Sequence, residues 1–208
     1  MKKLIVINFK SYKESIGENA IRLAKKLDHE NVWFVVNSID LKEVVNSVKY
    51  SKVLADHADP IEFGPNTGSI SFPEIKKTKA YGVLLNHSEH RINLKEISKC
   101  VKLAKKYKLK TIVCSNSLNE ALKIKNLNPT YLAIEPIELI SGKISVSDAK
   151  PYLIKNASKK IKNLLVGAGI HTKNDFVKAI SCGAVGILIS SSIIKNKNPK
   201  QKLNEFIF

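Results

Sequence analysis

Two short polar motifs, about 50 residues apart, contain the side chains best suited to proton chemistry. Each motif includes or follows a short apolar run that predicts a buried strand. The motifs are Asn86-His87-Ser88-Glu89 and Ala133-Ile134-Glu135-Pro136. A histidine and a glutamate at the ends of separate strands are the minimum needed to move a proton beside a carbonyl group. Because a residue before proline favours extended backbone, Pro136 is expected to hold the Glu135 carboxylate at the strand end.

Each of these residues also has a structural interpretation. His87 alone would more often be a structural residue, Glu135 could belong to a structural ion pair, and Glu89 could pair with Arg91 to shape its loop. His87 and His90 have an i, i+3 spacing that can hold a metal ion. No cysteine or carboxylate cluster joins them, so the sequence does not indicate a metal site.

Eight apolar, β-branched runs alternate with eight segments of helical periodicity. The predicted strands are Leu4–Ile7, Val32–Val36, Lys52–Ala55, Gly82–Leu85, Thr111–Cys114, Tyr131–Ile134, Leu164–Val166 and Val185–Ile189. The predicted helices are Ala20–Leu27, Leu41–Val48, Phe72–Thr78, Ile97–Tyr107, Leu118–Lys125, Ser147–Lys159, Thr172–Ser181 and Pro199–Phe206. Strict βα alternation predicts a parallel sheet, and eight units predict an α/β protein with one (β/α)8 barrel domain over residues 1–208. A doubly wound open sheet is the alternative.

One helix start has a recognisable signal. Ser117 precedes the helix Leu118–Lys125, and Glu120 follows it three residues later. This spacing is typical of a capping box, in which each side chain bonds to the backbone N–H of the other residue.

In a (β/α)8 barrel the active site lies at the carboxyl ends of the strands. The polar candidates all fall there: Asn8 and Lys10 after the first strand, the His87 motif after the fourth, Glu135 after the sixth, and Ser190-Ser191 after the eighth. Asn8 and Lys10 are separated by one residue, so an extended segment would direct both side chains to the same side.

The later loops favour a phosphorylated substrate. Gly167-Ala168-Gly169 lacks the third glycine of a dinucleotide fingerprint, and it occurs late in the chain. Barrel enzymes often bind phosphate with the loops after strands seven and eight. Gly169 allows close backbone approach, and Ser190–Ile194 can form a short helix whose N–H groups face an anion. The apolar loop Glu135–Lys143 is a candidate lid that excludes water.

Composition limits the other classes of function. The formal net charge is +17, but the lysines are dispersed along the predicted helices, so we expect no specific nucleic-acid binding. No apolar run is long enough to span a membrane. Three scattered cysteines without a CxxC motif predict reduced thiols in a cytoplasmic protein.

Taken in order, these motifs resemble the triosephosphate isomerase family, and more closely its archaeal branch. The resemblance covers the whole chain, from Asn8-Phe9-Lys10 through Asn86–Glu89 and Glu135–Ile140 to Gly167–Ile170 and Gly186–Leu188. It implies a (β/α)8 TIM barrel that interconverts dihydroxyacetone phosphate and D-glyceraldehyde 3-phosphate, with no metal or organic cofactor.

The resemblance also implies a role for each site residue. Glu135 would be the base and His87, neutral at a helix N-terminus, the electrophile. Lys10 and Asn8 would offset the substrate's charge and hold the oxyanion, while Glu89 would support the histidine loop. The phosphate would be bound by main-chain N–H groups of Ile140, Gly169, Ser190 and Ser191.

Three further expectations concern assembly and departures from the family. The loop around Asn66 and Thr67 corresponds to one that reaches a neighbouring subunit, which implies a homodimer or homotetramer. Ser141-Gly142-Lys143 stands where the family usually has Gly-Thr-Gly, a change that could slow lid movement. Ser190-Ser191 replaces smaller pairs and could crowd the phosphate. A different phosphate-binding barrel enzyme remains the second hypothesis.

Overall fold

A computed structural model describes residues 3–136, 139 and 145–207. Its eight strands are all parallel and form a closed barrel in the order β1 to β8, in which β8 pairs with β1. The strands are β1 Leu4–Asn8, β2 Val32–Val36, β3 Lys52–Ala55, β4 Gly82–Leu85, β5 Lys110–Ser115, β6 Tyr131–Ile134, β7 Leu164–Gly167 and β8 Gly186–Ile189. The predicted (β/α)8 barrel is confirmed, and the open sheet is excluded because the first and last strands are hydrogen-bonded neighbours.

Helices follow the strands around the barrel. They are α1 Glu18–Leu27, α2 Leu41–Ser47, α3 Phe72–Lys77, α4 Leu94–Lys106, α5 Leu118–Lys125, α6 Val146–Ala149, α7 Pro151–Ser158, α8 Lys173–Ser181, α9 Ser191–Ile194 and α10 Pro199–Asn204.

The predicted single helix Ser147–Lys159 is wrong, because the chain forms α6 and α7 with a break at Lys150. Lys150 has φ −138° and ψ 52°, outside the helical region. Pro151 causes this break, since proline lacks an N–H and disfavours helical backbone in the residue before it. The same proline then starts α7, where a missing N–H costs little.

Apolar side chains form two layers because both faces of each strand are covered. Along β1, Ile5 and Ile7 pack with the helices in an outer core, and Val6 points into the barrel. The interior cluster takes one or two side chains from each strand: Val6, Val35, Leu54, Leu84, Ile112, Cys114, Ala133, Leu165 and Leu188. This interior is packed, so the chemistry must be at a barrel end.

The amino-terminal end of the barrel is closed by aromatic rings. The Trp33 ring lies 4.9 Å from the Tyr81 ring and 5.4 Å from the Tyr131 ring, both edge to face. These geometries suit the quadrupoles of aromatic rings. The polar loops therefore gather at the opposite, carboxyl end.

The capping box expected at α5 is only half present. The Ser117 hydroxyl accepts a hydrogen bond from the Glu120 N–H at 3.2 Å, as predicted. The Glu120 carboxylate, however, accepts from the N–H of Asn116 at 2.9 Å and pairs with Arg91. The second half of the prediction is therefore wrong, because a long-range partner competes for this carboxylate.

No helix in the described ranges is long and apolar enough to cross a membrane. Cys100, Cys114 and Cys182 are all buried and unpaired, as expected for reduced thiols.

The Asp28 carboxylate ties two loops together at the amino-terminal end of the barrel. It accepts hydrogen bonds from the backbone N–H groups of Lys49 at 2.7 Å, Tyr50 at 3.1 Å and Ser51 at 2.7 Å. Burial opposes ionisation of Asp28, but these donors outweigh it and hold the pKa below the ordinary 3.8.

We expect Asp28→Asn to destabilise the fold by about 1–2 kcal/mol at neutral pH, a value discounted for partial exposure. The pKa of Asp28 is depressed in the folded state, so this stabilisation is full above pH 3.8 and is lost as pH falls through the folded pKa. Urea unfolding of both proteins at several pH values tests this. A stability difference that grows on acidification would contradict it.

Candidate active site

A small cavity opens at the carboxyl end of the barrel, among the loops after β1, β4, β6, β7 and β8. It is lined by Asn8, Lys10, Tyr12, His87, Glu135, Ala168, Gly169, Ile170, His171, Leu188, Ile189, Ser190, Ser191 and Ser192. Eight of the nine site residues predicted from the sequence are described, and seven of them line this cavity; Glu89 lies just outside, bonded to Lys10. Separate strands therefore bring together residues that are far apart in sequence.

His87 faces Glu135 across the cavity. The His87 Nε2 atom lies 3.9 Å from Glu135 Oε2, which is beyond hydrogen-bonding distance. The Nδ1 atom of His87 accepts a hydrogen bond from the backbone N–H of Glu89 at 3.2 Å. An accepting Nδ1 requires a neutral imidazole whose proton is on Nε2, the nitrogen that faces Glu135.

The expected position of His87 at a helix N-terminus is wrong. His87 lies in a turn closed by a hydrogen bond from His90 N–H to its carbonyl, and α4 begins only at Leu94. The neutral ring is favoured instead by the donor from Glu89.

Glu135 is a buried carboxylate, 6% exposed, at the end of β6. Its backbone N–H bonds to the carbonyl of Ser115 at 2.9 Å, which fixes the residue to the end of β5. Its Oε2 atom is buried and has no hydrogen-bond partner within the described part of the chain. A buried oxygen without a partner is costly, and such groups are retained where a ligand or reaction uses them.

Two neighbours of Glu135 were not predicted from the sequence. Burial raises the pKa of the Cys114 thiol well above its ordinary value, and the adjacent Glu135 carboxylate raises it further, so Cys114 is a protonated neighbour. A Cβ atom on Gly167 would lie 2.6 Å from Glu135 Oε1. Gly167 therefore leaves room for the carboxylate. Burial on adjacent strands is the only signal that could have indicated either residue.

Lys10 and Asn8 reach the cavity by a route different from the one expected. Lys10 has φ 50°, so the segment is not extended, and its N–H bonds to Asn8 Oδ1 at 3.1 Å. The Lys10 Nζ atom lies 2.6 Å from Glu89 Oε1, and Glu89 Oε2 lies 3.6 Å from His87 Nδ1. Glu89 thus contacts both the cation and the histidine, and the alternative pairing of Glu89 with Arg91 is wrong.

The far end of the cavity, around Gly169 and Ser190, has the features expected of an anion-binding site. Ala168 and Gly169 have successive left-handed backbones, with φ 75° and 68°. The short helix predicted over Ser190–Ile194 is present as α9, with Ser190 as the residue before it. The Ser190 hydroxyl donates to the carbonyl of Asn8 at 2.7 Å and so joins the first and last loops of the barrel.

The remaining predictions for this end concern the proposed lid. Ile140, the Ser141-Gly142-Lys143 hinge and most of the loop Glu135–Lys143 lie outside the described residues. Leu139 is described, and its N–H bonds to the carbonyl of Pro136 at 3.0 Å.

The His87 and His90 pair does not converge on a metal position. The His90 ring stacks on His57 with centroids 4.0 Å apart. No group of three or more metal-ligating side chains occurs within residues 3–136, 139 and 145–207.

A (β/α)8 barrel with a neutral histidine, a buried carboxylate and a lysine around one cavity defines an enzyme that transfers protons beside a carbonyl group. Comparison with known proteins identifies the family. The family described as "Triosephosphate isomerase" matches residues 3–206.

Curated relatives from archaea agree with this match. Triosephosphate isomerase of Methanothermus fervidus is 40% identical, over 98% of this chain and 97% of the relative. That of Archaeoglobus fulgidus is 37% identical over 98% and 96%, and that of Saccharolobus solfataricus is 36% identical over 98% and 94%. The chain belongs to the triosephosphate isomerase family and is an isomerase of the TIM-barrel fold.

The contact between Gly167 and Glu135 gives a direct test of the site. We expect Gly167→Ala to lower kcat by about 10- to 100-fold, because the new methyl group must displace the carboxylate. KM should change less, and a coupled isomerase assay separates the two parameters.

The matched control is Gly167→Ala in a Glu135→Ala protein. Removing the carboxylate should abolish most of the drop in Tm that Gly167→Ala causes alone. Equal drops in both backgrounds would show that the methyl group meets something other than Glu135.

Proposed function

We propose that Glu135 and His87 catalyse the interconversion of dihydroxyacetone phosphate and D-glyceraldehyde 3-phosphate through an enediolate. The observation that carries this proposal is the pairing of a neutral, Nε2-protonated His87 with a buried Glu135 oxygen that has no partner in the described chain. The reaction belongs to glycolysis and gluconeogenesis, and its two directions need only one base and one electrophile, so the proposal includes no cofactor.

Glu135 acts as the base in this proposal. Its Oε2 atom takes the proton from the carbon beside the substrate carbonyl and returns it to the neighbouring carbon. Burial favours this role because the carboxylate is kept away from water that would exchange with the transferred proton. Extended backbone before Pro136 and the bond to Ser115 limit the movement of the residue.

His87 acts as the electrophile through its Nε2–H group. A neutral imidazole that donates a hydrogen bond polarises the carbonyl and stabilises the developing oxyanion. Nε2 gives its proton to that oxygen and takes the proton of the neighbouring hydroxyl group, so the hydroxyl proton changes oxygens while Glu135 moves the carbon-bound proton. Lys10 supplies the fixed positive charge beside the same oxyanion, and the Asn8 side chain helps to hold it. Substrate would compete with Glu89 for Lys10, since Lys10 Nζ lies 2.6 Å from Glu89 Oε1.

The phosphate group is assigned to the opposite end of the cavity, at the main-chain N–H groups of Gly169, Ser190, Ser191 and Ile140. The described members of this set line the same cavity as His87 and Glu135. Lys10 adds an attractive charge. The loop Glu135–Lys143 is proposed to close over this end and exclude water, as the apolar content of its sequence indicates.

We also propose that the chain forms a homodimer or homotetramer through the loop around Asn66 and Thr67. This loop is ordered by its own bonds, from Asn66 N–H to Gly64 O at 3.0 Å and from Ser69 N–H to Asn66 O at 3.1 Å. Next to it Phe63 is 70% exposed, an apolar surface suited to a second copy. The proposal further treats residues 1–208 as one domain that works in the cytoplasm.

Glu135→Gln tests the proposed chemistry, because it keeps the size of the side chain and removes the base. We expect kcat in a coupled assay with glyceraldehyde 3-phosphate to fall by about 10²- to 10⁴-fold. Glu205→Gln, an exposed change in the C-terminal segment, serves as the control and should keep full activity. An active Glu135→Gln enzyme would remove Glu135 from the mechanism.

Phe63→Lys tests the proposed assembly. Sedimentation velocity should show a smaller species, since a charge would be buried at the interface. Tyr152→Lys is the matched control, because Tyr152 is an aromatic residue with similar exposure, 78%, on α7. Added salt should strengthen association of the wild-type protein, whose net charge of +17 is self-repulsive. The same shift in both variants would place the interface elsewhere.

A further inference from the structure

Glu120 differs from three acidic residues that hold the same helical position, the third residue of α3, α4 and α8. Glu74 in α3, Glu96 in α4 and Asp175 in α8 each accept a hydrogen bond from the backbone N–H of their own N-cap residue, at 2.8–2.9 Å. Glu120 occupies this position in α5 but directs its carboxylate to Asn116 N–H and to Arg91, which belongs to the loop after β4. The carboxylate of Glu120 therefore joins the loop after β5 to the loop after β4, which contains His87.

Arg91 carries this connection to the peptide unit in front of His87. One guanidinium nitrogen, Nη2, pairs with Glu120 Oε1, and the other, Nη1, donates to the carbonyl oxygen of Asn86 at 3.3 Å. That carbonyl belongs to the peptide bond whose N–H is that of His87. Arg91 and Glu120 are both partly buried, with side chains 33% and 26% exposed, so solvent screens the pair only in part.

Asn86 completes the connection between the His87 loop and β5. Its backbone is left-handed, with φ 59°, and the residue is 1% exposed. Its amide nitrogen donates to the carbonyl of Cys114 at 2.9 Å and lies 3.4 Å from Glu120 Oε1, while its amide oxygen accepts from Ile92 N–H at 3.1 Å. Asn86 is thus bonded both to β5 and to its own loop.

We propose that Glu120 is a positioning residue that sets the place of His87 relative to Glu135, acting through Arg91 and Asn86. The two anchor points both lie at the carboxyl end of β5. Cys114, whose carbonyl holds Asn86, has its thiol beside the Glu135 carboxylate, and Glu120 is fixed to the turn that follows β5. The end of β5 therefore supports both the electrophile and the base, whose Nε2 and Oε2 atoms lie 3.9 Å apart. This inference rests on the proposed role of His87.

The test uses Glu120→Ala and Glu120→Gln in the full chain, with Glu96→Ala as the matched control. Glu96 has the same helical position in the helix that follows the His87 loop, but its carboxylate caps that helix at the Asn93 N–H and does not pair with Arg91. Two measurements are made: kcat and KM with glyceraldehyde 3-phosphate, and the ¹⁵N NMR shifts of the His87 imidazole.

For Glu120→Ala we expect kcat to fall about tenfold or more while KM changes less than about threefold, because the phosphate contacts are on other loops. Glu120→Gln keeps an acceptor for Asn116 and should recover part of the loss. The His87 shifts should move from the pattern of one tautomer, protonated on Nε2, toward an average of both. Glu96→Ala should lower Tm without either effect.

Wild-type kcat in Glu120→Ala, or an equal loss in Glu96→Ala, would overturn the inference. If Glu120→Ala does not fold, Glu120→Gln tests the inference instead. Its uncharged amide weakens the bond to Arg91, so kcat must still fall below the wild-type value. If the wild-type protein showed no isomerase turnover, the proposed function would be wrong, but this result alone would not contradict the positioning role of Glu120. The NMR comparison would then still decide whether Glu120 positions His87.

Discussion

The carboxylate of Glu135 is the group around which the carboxyl end of the barrel is organised. It is 6% exposed, and its Oε2 atom has no partner within the described residues. Desolvation of a charged oxygen is costly, so the surroundings must hold the side chain in place. Gly167 leaves the space, the carbonyl of Ser115 holds the backbone, and the Cys114 thiol lies alongside. A buried carboxylate oxygen without a partner would be unfavourable in an ordinary core, and here it faces the cavity, where the proposed reaction uses it.

The rest of the site balances charge around this group without neutralising it. His87 is held neutral by the donor at Nδ1, so no cation lies directly against the carboxylate. Lys10 is a cation that lines the same cavity, and Glu89 compensates its charge. In the proposed mechanism a substrate oxygen replaces the Glu89 carboxylate at Lys10, so the cation keeps a negatively charged partner.

The sequence predicted the barrel and most of the residues that line the cavity, because strand burial and loop position depend on local pattern. It failed where partners are distant. Glu120 fits a capping box by spacing, yet its carboxylate goes to a residue 29 positions away. The left-handed backbone of Lys10 and the turn around His87 depend on neighbouring strands, which local propensity does not include. The helix break before Pro151 could have been predicted from local rules, but it was missed. The contact of Gly167 with Glu135 could not have been predicted in this way, since it joins two strands.

The aromatic closure at the amino-terminal end has a practical consequence for studying the molecule. Trp33, the only tryptophan in the chain, lies there against Tyr81 and Tyr131, with the packed barrel interior between it and the cavity. Its fluorescence therefore reports on the integrity of the closed sheet and not on occupancy of the site. Trp33 fluorescence and enzyme activity report on opposite ends of one barrel. Loss of structure and loss of activity can therefore be observed independently in the same sample.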